Sequence, residues 1–171
     1  MADGQEKFAT LYRAHHSRIV RLCRLLLQYP PEADEVAQDV FLKLLKTESV
    51  WDHTIPLESW LTCFAVNACR DRRRSRWWRG RRETPQEFEE TDFPSPYPTP
   101  EQVSVSSEQR ARIWQEFRTL SPRQQEVFAL RYIEGRTGEE VAELLGVTTG
   151  SVKQHLFRAV QHMRKALGGH I

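Results

Sequence analysis

The sequence predicts an all-α chain of two small helical domains joined by an acidic, Pro-rich linker. Three observations lead there. Apolar residues recur three, four and seven positions apart through most of the chain, the period of one helix face rather than the alternation of a strand. Ser/Thr-x-x-Gln/Glu sequences, with well-placed prolines and glycines, punctuate the C-terminal part as helix starts and stops. Across residues 83–105 the composition shifts to acids and prolines with no helical period, so this stretch reads as a linker between domains at 1–82 and 106–171.

At 171 residues, with 39% hydrophobic and 28% charged, the chain can build a core in one domain or in two. It contains no run of about 18 apolar residues, and the N-terminus lacks the basic-then-apolar order of a signal peptide. A cytoplasmic protein with no membrane insertion is therefore expected. Cys23, Cys63 and Cys69 are odd in number and form no C-x-x-C pair, so they read as reduced thiols. The net charge of +2 conceals a strong asymmetry. Residues 70–82, "RDRRRSRWWRGRR", crowd arginines around two tryptophans, and the acids Glu83, Glu87, Glu89, Glu90 and Asp92 follow.

In chain order, Phe8, Leu11, Tyr12, Ile19, Leu22 and Leu26 define the inner face of a helix starting near Glu6, with Pro30 and Pro31 as its stop. A second helix follows in "EADEVAQDVFLKLLK", where Val36, Val40, Phe41, Leu44 and Leu45 make the buried stripe. Its other face carries Asp34, Glu35, Gln38 and Asp39 around an apolar Leu42. That is either a solvated face with one stray leucine or a docking surface for a basic partner. "TESVWDHTIP" reads as a loop ended by Pro56. A third helix begins near Leu57 or Glu58, with Trp60, Leu61, Phe64, Ala65 and Ala68 facing inward.

Asn67, Arg70 and Arg74 fall at i, i+3 and i+7 on that helix, so they form a polar stripe running into the arginine block. Arginines alone suit duplex phosphates. Arginines beside Trp77 and Trp78 also offer flat faces on which unpaired bases stack, at about 1–3 kcal/mol per base. Either DNA is opened here, or the tryptophans pack against the first helix. Separating several base-pair steps at about 1.4 kcal/mol each exceeds what a few such contacts supply, so a partner is expected to share the work.

The C-terminal part begins with a helix marked by Ile113, Trp114 and Phe117. "SPRQ" at Ser121 then supplies an N-cap, a proline at the first helical position and a glutamine three residues after the cap. Val127, Leu130 and Arg131 carry this helix to a C-cap at Gly135. "TGEE" at Thr137 opens a short helix with Val141, Ala142, Leu144 and Leu145 that stops at Gly146. A turn of about three residues leads to a last helix with Val152, Leu156, Ala159, Val160 and Met163 inside. Helix, Gly-containing turn, helix is the helix-turn-helix pattern, whose second helix enters the major groove. Its exposed residues Ser151, Lys153, Gln154, His155 and Arg158 can read base edges, while Thr148, Thr149 and the helix N-terminus can hold phosphates.

Three blocks in this order, "DEVAQDVFLKLL", "SWLTCFAVNACRDRRR" and "LSPRQQEVFALRYIEGRTGEEVAELLGVTTGSVKQHLFRAVQHMRKAL", resemble the extracytoplasmic-function sigma factors of bacterial RNA polymerase. The resemblance spans nearly everything from Phe8 to Leu167. It implies that Gln38, Asp39 and Leu42 dock on the clamp helices of the polymerase β′ subunit, and that the β flap of core polymerase is a further contact. It further implies that Asn67, Arg70, Asp71 and Arg74 contact the strands of the −10 element, and that the loop at Val50, Trp51, Asp52 and His53 captures a flipped base. "GSVKQHLFRA" matches the helix that reads the −35 element, which gives Lys153, Gln154, His155 and Arg158 base and phosphate contacts there. An anti-sigma factor is an expected partner, beside core polymerase and promoter DNA. The family often has arginine where this helix has Lys153 or His155, and "WWRGRR" is richer in tryptophan and arginine than the family pattern.

Residues 120–156 also resemble the DNA-binding domain of LuxR-type regulators. Such a regulator would need a receiver or ligand-binding domain, and the N-terminal half is neither. Against an enzyme on nucleic acid, the sequence has no H-x-E with C-x-x-C and no G-x-x-x-x-G-K-[ST] loop. No catalytic residue, cofactor or metal is expected.

Overall fold

A computed structural model of the chain describes residues 2–47, 54–79 and 107–168. The chain divides into two compact units, residues 1–88 and 89–171. The expected linker at 83–105 lies outside the described residues. All regular elements among the described residues are helical.

The N-terminal unit is a bundle of α1 (Ala2–Leu27), α2 (Pro30–Thr47) and α3 (Leu57–Arg79), each packed on the other two. α1 starts about a turn before Glu6 and ends at Leu27, where Gln28 takes a left-handed φ of 57°. Pro30 and Pro31 do not merely stop α1; they open α2. A helix's first turn needs no N–H donors and suits a fixed φ near −65°, so prolines belong as readily at a start as beyond an end. Ile19, Leu22, Leu26, Val36, Val40, Phe41, Leu44, Leu61, Ala65 and Val66 fill the core.

Two expectations for this core are corrected. Leu45 is 49% exposed, because at about 100° per residue it stands half a turn from Val36 and on the side of Leu42. Trp60 and Phe64 are half-buried and stack on each other at 4.1 Å, and Ala68 is only partly covered. Thr62, Val66 and Cys69 take the interior positions instead. Polar ties fix the helices to one another. Arg18 donates to Thr62 Oγ1 at 2.9 Å and to the Glu58 carbonyl at 3.2 Å, joining α1 to α3. Arg24 grips both oxygens of Asp34 at 2.9 and 3.0 Å, joining α1 to α2. Cys23 and Cys69 are fully buried between α1 and α3, and a hydrogen bond to Cys69, followed by burial, pushes the Cys23 thiol well up.

The C-terminal unit contains α4 (Ser107–Thr119), α5 (Pro122–Phe128), α6 (Gly138–Leu145) and α7 (Thr149–Ala166). Trp114, Phe117, Leu120, Val127, Leu130, Val141, Leu145, Val152, Ala159 and Met163 form its core. Both capping boxes form: Gln124 N–H donates to Ser121 Oγ and Ser121 N–H to Gln124 Oε1, while Thr137 and Glu140 make the same reciprocal pair. The buried Gln125 amide donates to the Phe117 and Arg118 carbonyls and so closes the end of α4. The helix from Ser121 does not run to Gly135 as a uniform α-helix. It widens into a π-helical turn over Ala129–Ile133, in which Glu134 N–H bonds to Ala129 C=O five residues back. Gly135 and Gly146 then adopt φ of 68° and 64°, the left-handed conformation glycine enters at least cost.

Candidate functional site

The arginine block of α3 divides by face. Arg72 reaches α2, with Nη1 at 2.8 Å from Glu35 Oε2 and Nη2 at 3.9 Å from Asp39 Oδ2. The hydrogen bond to Glu35 holds the Arg72 proton more firmly than usual. Arg76, one turn on, pairs with Glu32 and lies over the Tyr29 ring, 5.5 Å from its centroid. These two cations are absorbed by the acidic first half of α2. Asn67, Asp71 and Arg74 are exposed, and Arg70 is partly so, on the face turned away from the bundle. Arg70 donates to the Asn67 side-chain oxygen at 3.3 Å, and Asn67 Nδ2 sits 3.5 Å from Cys63 Sγ, so the stripe is pre-ordered along the helix. Trp77 continues it at 66% exposure, so most of this indole lies outside the core of the bundle. The side chain of Trp78 lies outside the described residues, as do Val50, Trp51, Asp52 and His53.

On α2, Gln38 and Asp39 are exposed and Leu42 is 51% exposed. Leu45 joins them, turning the single stray leucine into an apolar pair beside an acid and an amide. Asp34 is only partly exposed and is gripped by Arg24, so it does not belong to this surface, whereas Asp39 stays exposed at the edge of the Arg72 contact.

In the C-terminal unit, α6, the turn Gly146–Thr148 and α7 make the helix-turn-helix. Thr148 Oγ1 accepts from Ser151 N–H at 3.1 Å, so Thr148 caps α7 while its hydroxyl proton remains available to a phosphate. Thr149, Lys153, Gln154 and Arg158 are exposed. Ser151 and His155 are half-buried at the flank, and His155 Nδ1 is shielded from solvent. Phe157, 65% exposed, lies between Lys153, Gln154 and Arg158 on the outer face. Reading that face for polar groups alone misses it. An exposed phenyl ring on such a helix can meet the methyl group of thymine.

The two units therefore each present one basic, amide-bearing and aromatic face. Residues 11–79 match the Sigma-70 region 2 family, and residues 110–163 match Sigma-70, region 4. The RNA polymerase sigma-E factor of Streptomyces avermitilis is 29% identical over 174 residues, covering 98% of this chain and 89% of that protein. The ECF RNA polymerase sigma factor SigM of Mycobacterium tuberculosis is 27% identical over 168 residues, covering 98% and 81%. The chain belongs to the extracytoplasmic-function sigma factors. Sigma factors of this family are transcription-initiation factors.

The fold of this sigma factor is shared with the sigma factor RpoE of Bartonella quintana, solved in complex with the anti-sigma factor NepR, at a TM-score of 0.75 and 17% identity over 97% of this chain and 99% of that one. Among the described residues, no helix is long and apolar enough to cross a membrane, and no three His, Cys, Asp or Glu side chains gather as a metal site.

Proposed function

We propose that this sigma factor docks on core RNA polymerase through Gln38, Asp39 and Leu42, with Leu45 extending the apolar contact. The domain at 1–82 binds and opens the −10 element along Asn67, Arg70, Asp71 and Arg74, with Val50, Trp51, Asp52 and His53 as the base-capturing loop. The domain at 106–171 reads the −35 element through Lys153, Gln154, Phe157 and Arg158. Thr148, Thr149 and the N-terminus of α7 hold phosphates, and Ser151 and His155 flank the reading face. The acidic, Pro-rich segment at 83–105 joins the two domains.

The observation that carries this reading is the division of the α3 arginines. Arg72 and Arg76 brace the acidic face of α2, and Arg70 and Arg74 face outward. A helix that merely needed charge for solubility would not sort its cations in this way. The chain supplies binding and positioning and performs no catalysis of its own; polymerase carries the chemistry. It works in the cytoplasm, where promoter DNA and polymerase reside. An anti-sigma factor that covers the docking or DNA faces would silence it, and the RpoE relative held by NepR supports such control. Adding the chain to core polymerase on a promoter library should yield transcripts with defined start sites; transcription indistinguishable from core polymerase alone would overturn the proposal.

A further inference from the structure

The outer face of α7 holds an amide that the fold does not use. Val152, Ala159 and Met163 fix the inner face. At about 100° per residue, the direction opposite to them falls on Gln154 in the second turn, with Phe157 and Arg158 to either side of it one turn on. Gln154 is exposed, and neither it nor Arg158 is hydrogen-bonded or ion-paired to another described residue. One turn before it, on the same side, stands Gly150. Glycine weakens a helix relative to alanine, and nothing in the fold asks for it here. Its φ is not left-handed, and a Cβ would meet only Thr148 Oγ1, at an ordinary 3.8 Å. The first turn of α7 is therefore left bare on the side from which the Gln154 amide is reached.

The hydrogen-bonding pattern of a primary amide selects the base. Side by side, Gln154 offers one acceptor, Oε1, and one N–H donor, Nε2. In the major groove adenine alone places a donor, the N6 amino group, beside an acceptor, N7. Guanine shows two acceptors there, one of which would face Oε1 and leave both oxygens unsatisfied. The cytosine edge has a donor with no acceptor beside it, and the thymine edge has an acceptor beside a methyl group. A phosphate would take the Nε2 donor and leave Oε1 idle. We infer that Gln154 sets the base preference of this sigma factor at one position of its −35 element, and that the base is adenine. Nε2–H donates to N7, and Oε1 accepts from the N6 amino group. This rests on the reading of α7 as the helix that enters the −35 element and adds the base that one of its side chains selects.

The test uses the full chain assembled with core polymerase and a duplex promoter library randomised across the −35 region, from which bound DNA is recovered and sequenced. Wild type should select adenine at one position over the other bases by roughly 5- to 150-fold, the discrimination of one bidentate pair. Gln154→Ala should lose that preference and keep the rest of the selected sequence. Gln154→Glu should move the preference to cytosine, from whose N4 amino group a carboxylate accepts. Placing 7-deazaadenine, which lacks the N7 acceptor, at the selected position should weaken binding by wild type and leave Gln154→Ala unchanged. The same selected sequence from wild type and both variants would overturn the inference, as would a selected base other than adenine at the position that responds to Gln154. A uniform loss of affinity in Gln154→Ala across all sequences would overturn it too, by assigning Gln154 to a phosphate or to the fold. The double variant Lys153→Ala with Arg158→Ala separates the two layers. If it loses the selected −35 sequence while Gln154→Ala keeps it whole, only the adenine contact falls, and if it also selects as wild type, the reading of α7 falls with it.

Discussion

Arg72 on α3 and Glu35 on α2 approach to 2.8 Å, so a residue from the middle of the arginine block is a brace within the bundle and not a DNA contact. Both side chains retain contact with water, and pairs of this kind contribute about 0–1 kcal/mol. Glu35→Gln should therefore lower the stability of the full chain by less than about 1 kcal/mol, read by denaturant unfolding. Arg72→Ala should cost a similar amount and leave promoter binding far less affected than Arg74→Ala does. Equal promoter defects in Arg72→Ala and Arg74→Ala would mean that the division of the block is wrong.

Leu42 and Leu45 are each about half exposed and contribute little to the core. Changing either to Ala should shift stability by no more than about 0.5 kcal/mol, the usual range for surface substitutions. In a pull-down with core polymerase, the double variant should lose at least about tenfold in affinity, as expected when apolar contacts at an interface centre are removed. Asp39→Arg should also weaken it. Unchanged affinity in both the double variant and Asp39→Arg would remove α2 as the docking face.

The capping boxes were legible in the sequence because the signal is local: a hydroxyl residue and an acid or amide three positions later decide the geometry alone. The same holds for Gly135 and Gly146, where a side chain would meet backbone strain. Pro30 and Pro31 were ambiguous, since a proline ends one helix as readily as it begins the next. The π-helical turn at Ala129–Ile133 adds a residue to a helical turn and leaves the apolar pattern almost unaltered. The pairing of Arg72 and Arg76 with Glu35 and Glu32 depends on which helices meet, and periodicity within α3 carries no such information. Phe157 and Leu45 escaped for a simpler reason, as apolar residues assigned to the interior or passed over.

Thr137 and Glu140 satisfy each other's backbone N–H groups at the start of α6. The hydrogen bond from the Thr137 N–H holds the Glu140 carboxyl below its ordinary range, aided by Arg136 3.7 Å away. A carboxyl lowered on folding contributes stability above its unfolded pKa, and that contribution is lost as pH falls through its folded pKa. Thr137→Ala should cost about 1 kcal/mol at neutral pH. Glu140→Gln should differ from wild type at neutral pH and converge with it under acid, in thermal unfolding followed across that range; a difference that grows on acidification would contradict the assignment.

The three thiols should separate cleanly by reactivity. Cys23 and Cys69 are fully buried and Cys63 is partly exposed. Thiolate is the reactive form, and the raised Cys23 thiol is held protonated as well as hidden. An alkylating reagent at neutral pH should label Cys63 first, with Cys23 and Cys69 labelled only as the bundle unfolds, as mass spectrometry of digested protein would show. Early labelling of Cys23 would contradict the packing of α1 on α3.

The central claim is that one unit opens DNA while the other finds it. Permanganate footprinting of core polymerase assembled with wild type, Arg74→Ala and Arg158→Ala on a cognate promoter tests it most directly. Wild type should give reactive, unpaired thymines near −10. Arg74→Ala should lose that reactivity while still protecting the promoter as a closed complex, and Arg158→Ala should lose occupancy of the −35 element itself. No reactive thymines with wild type, or the same footprint from both variants, would contradict the account.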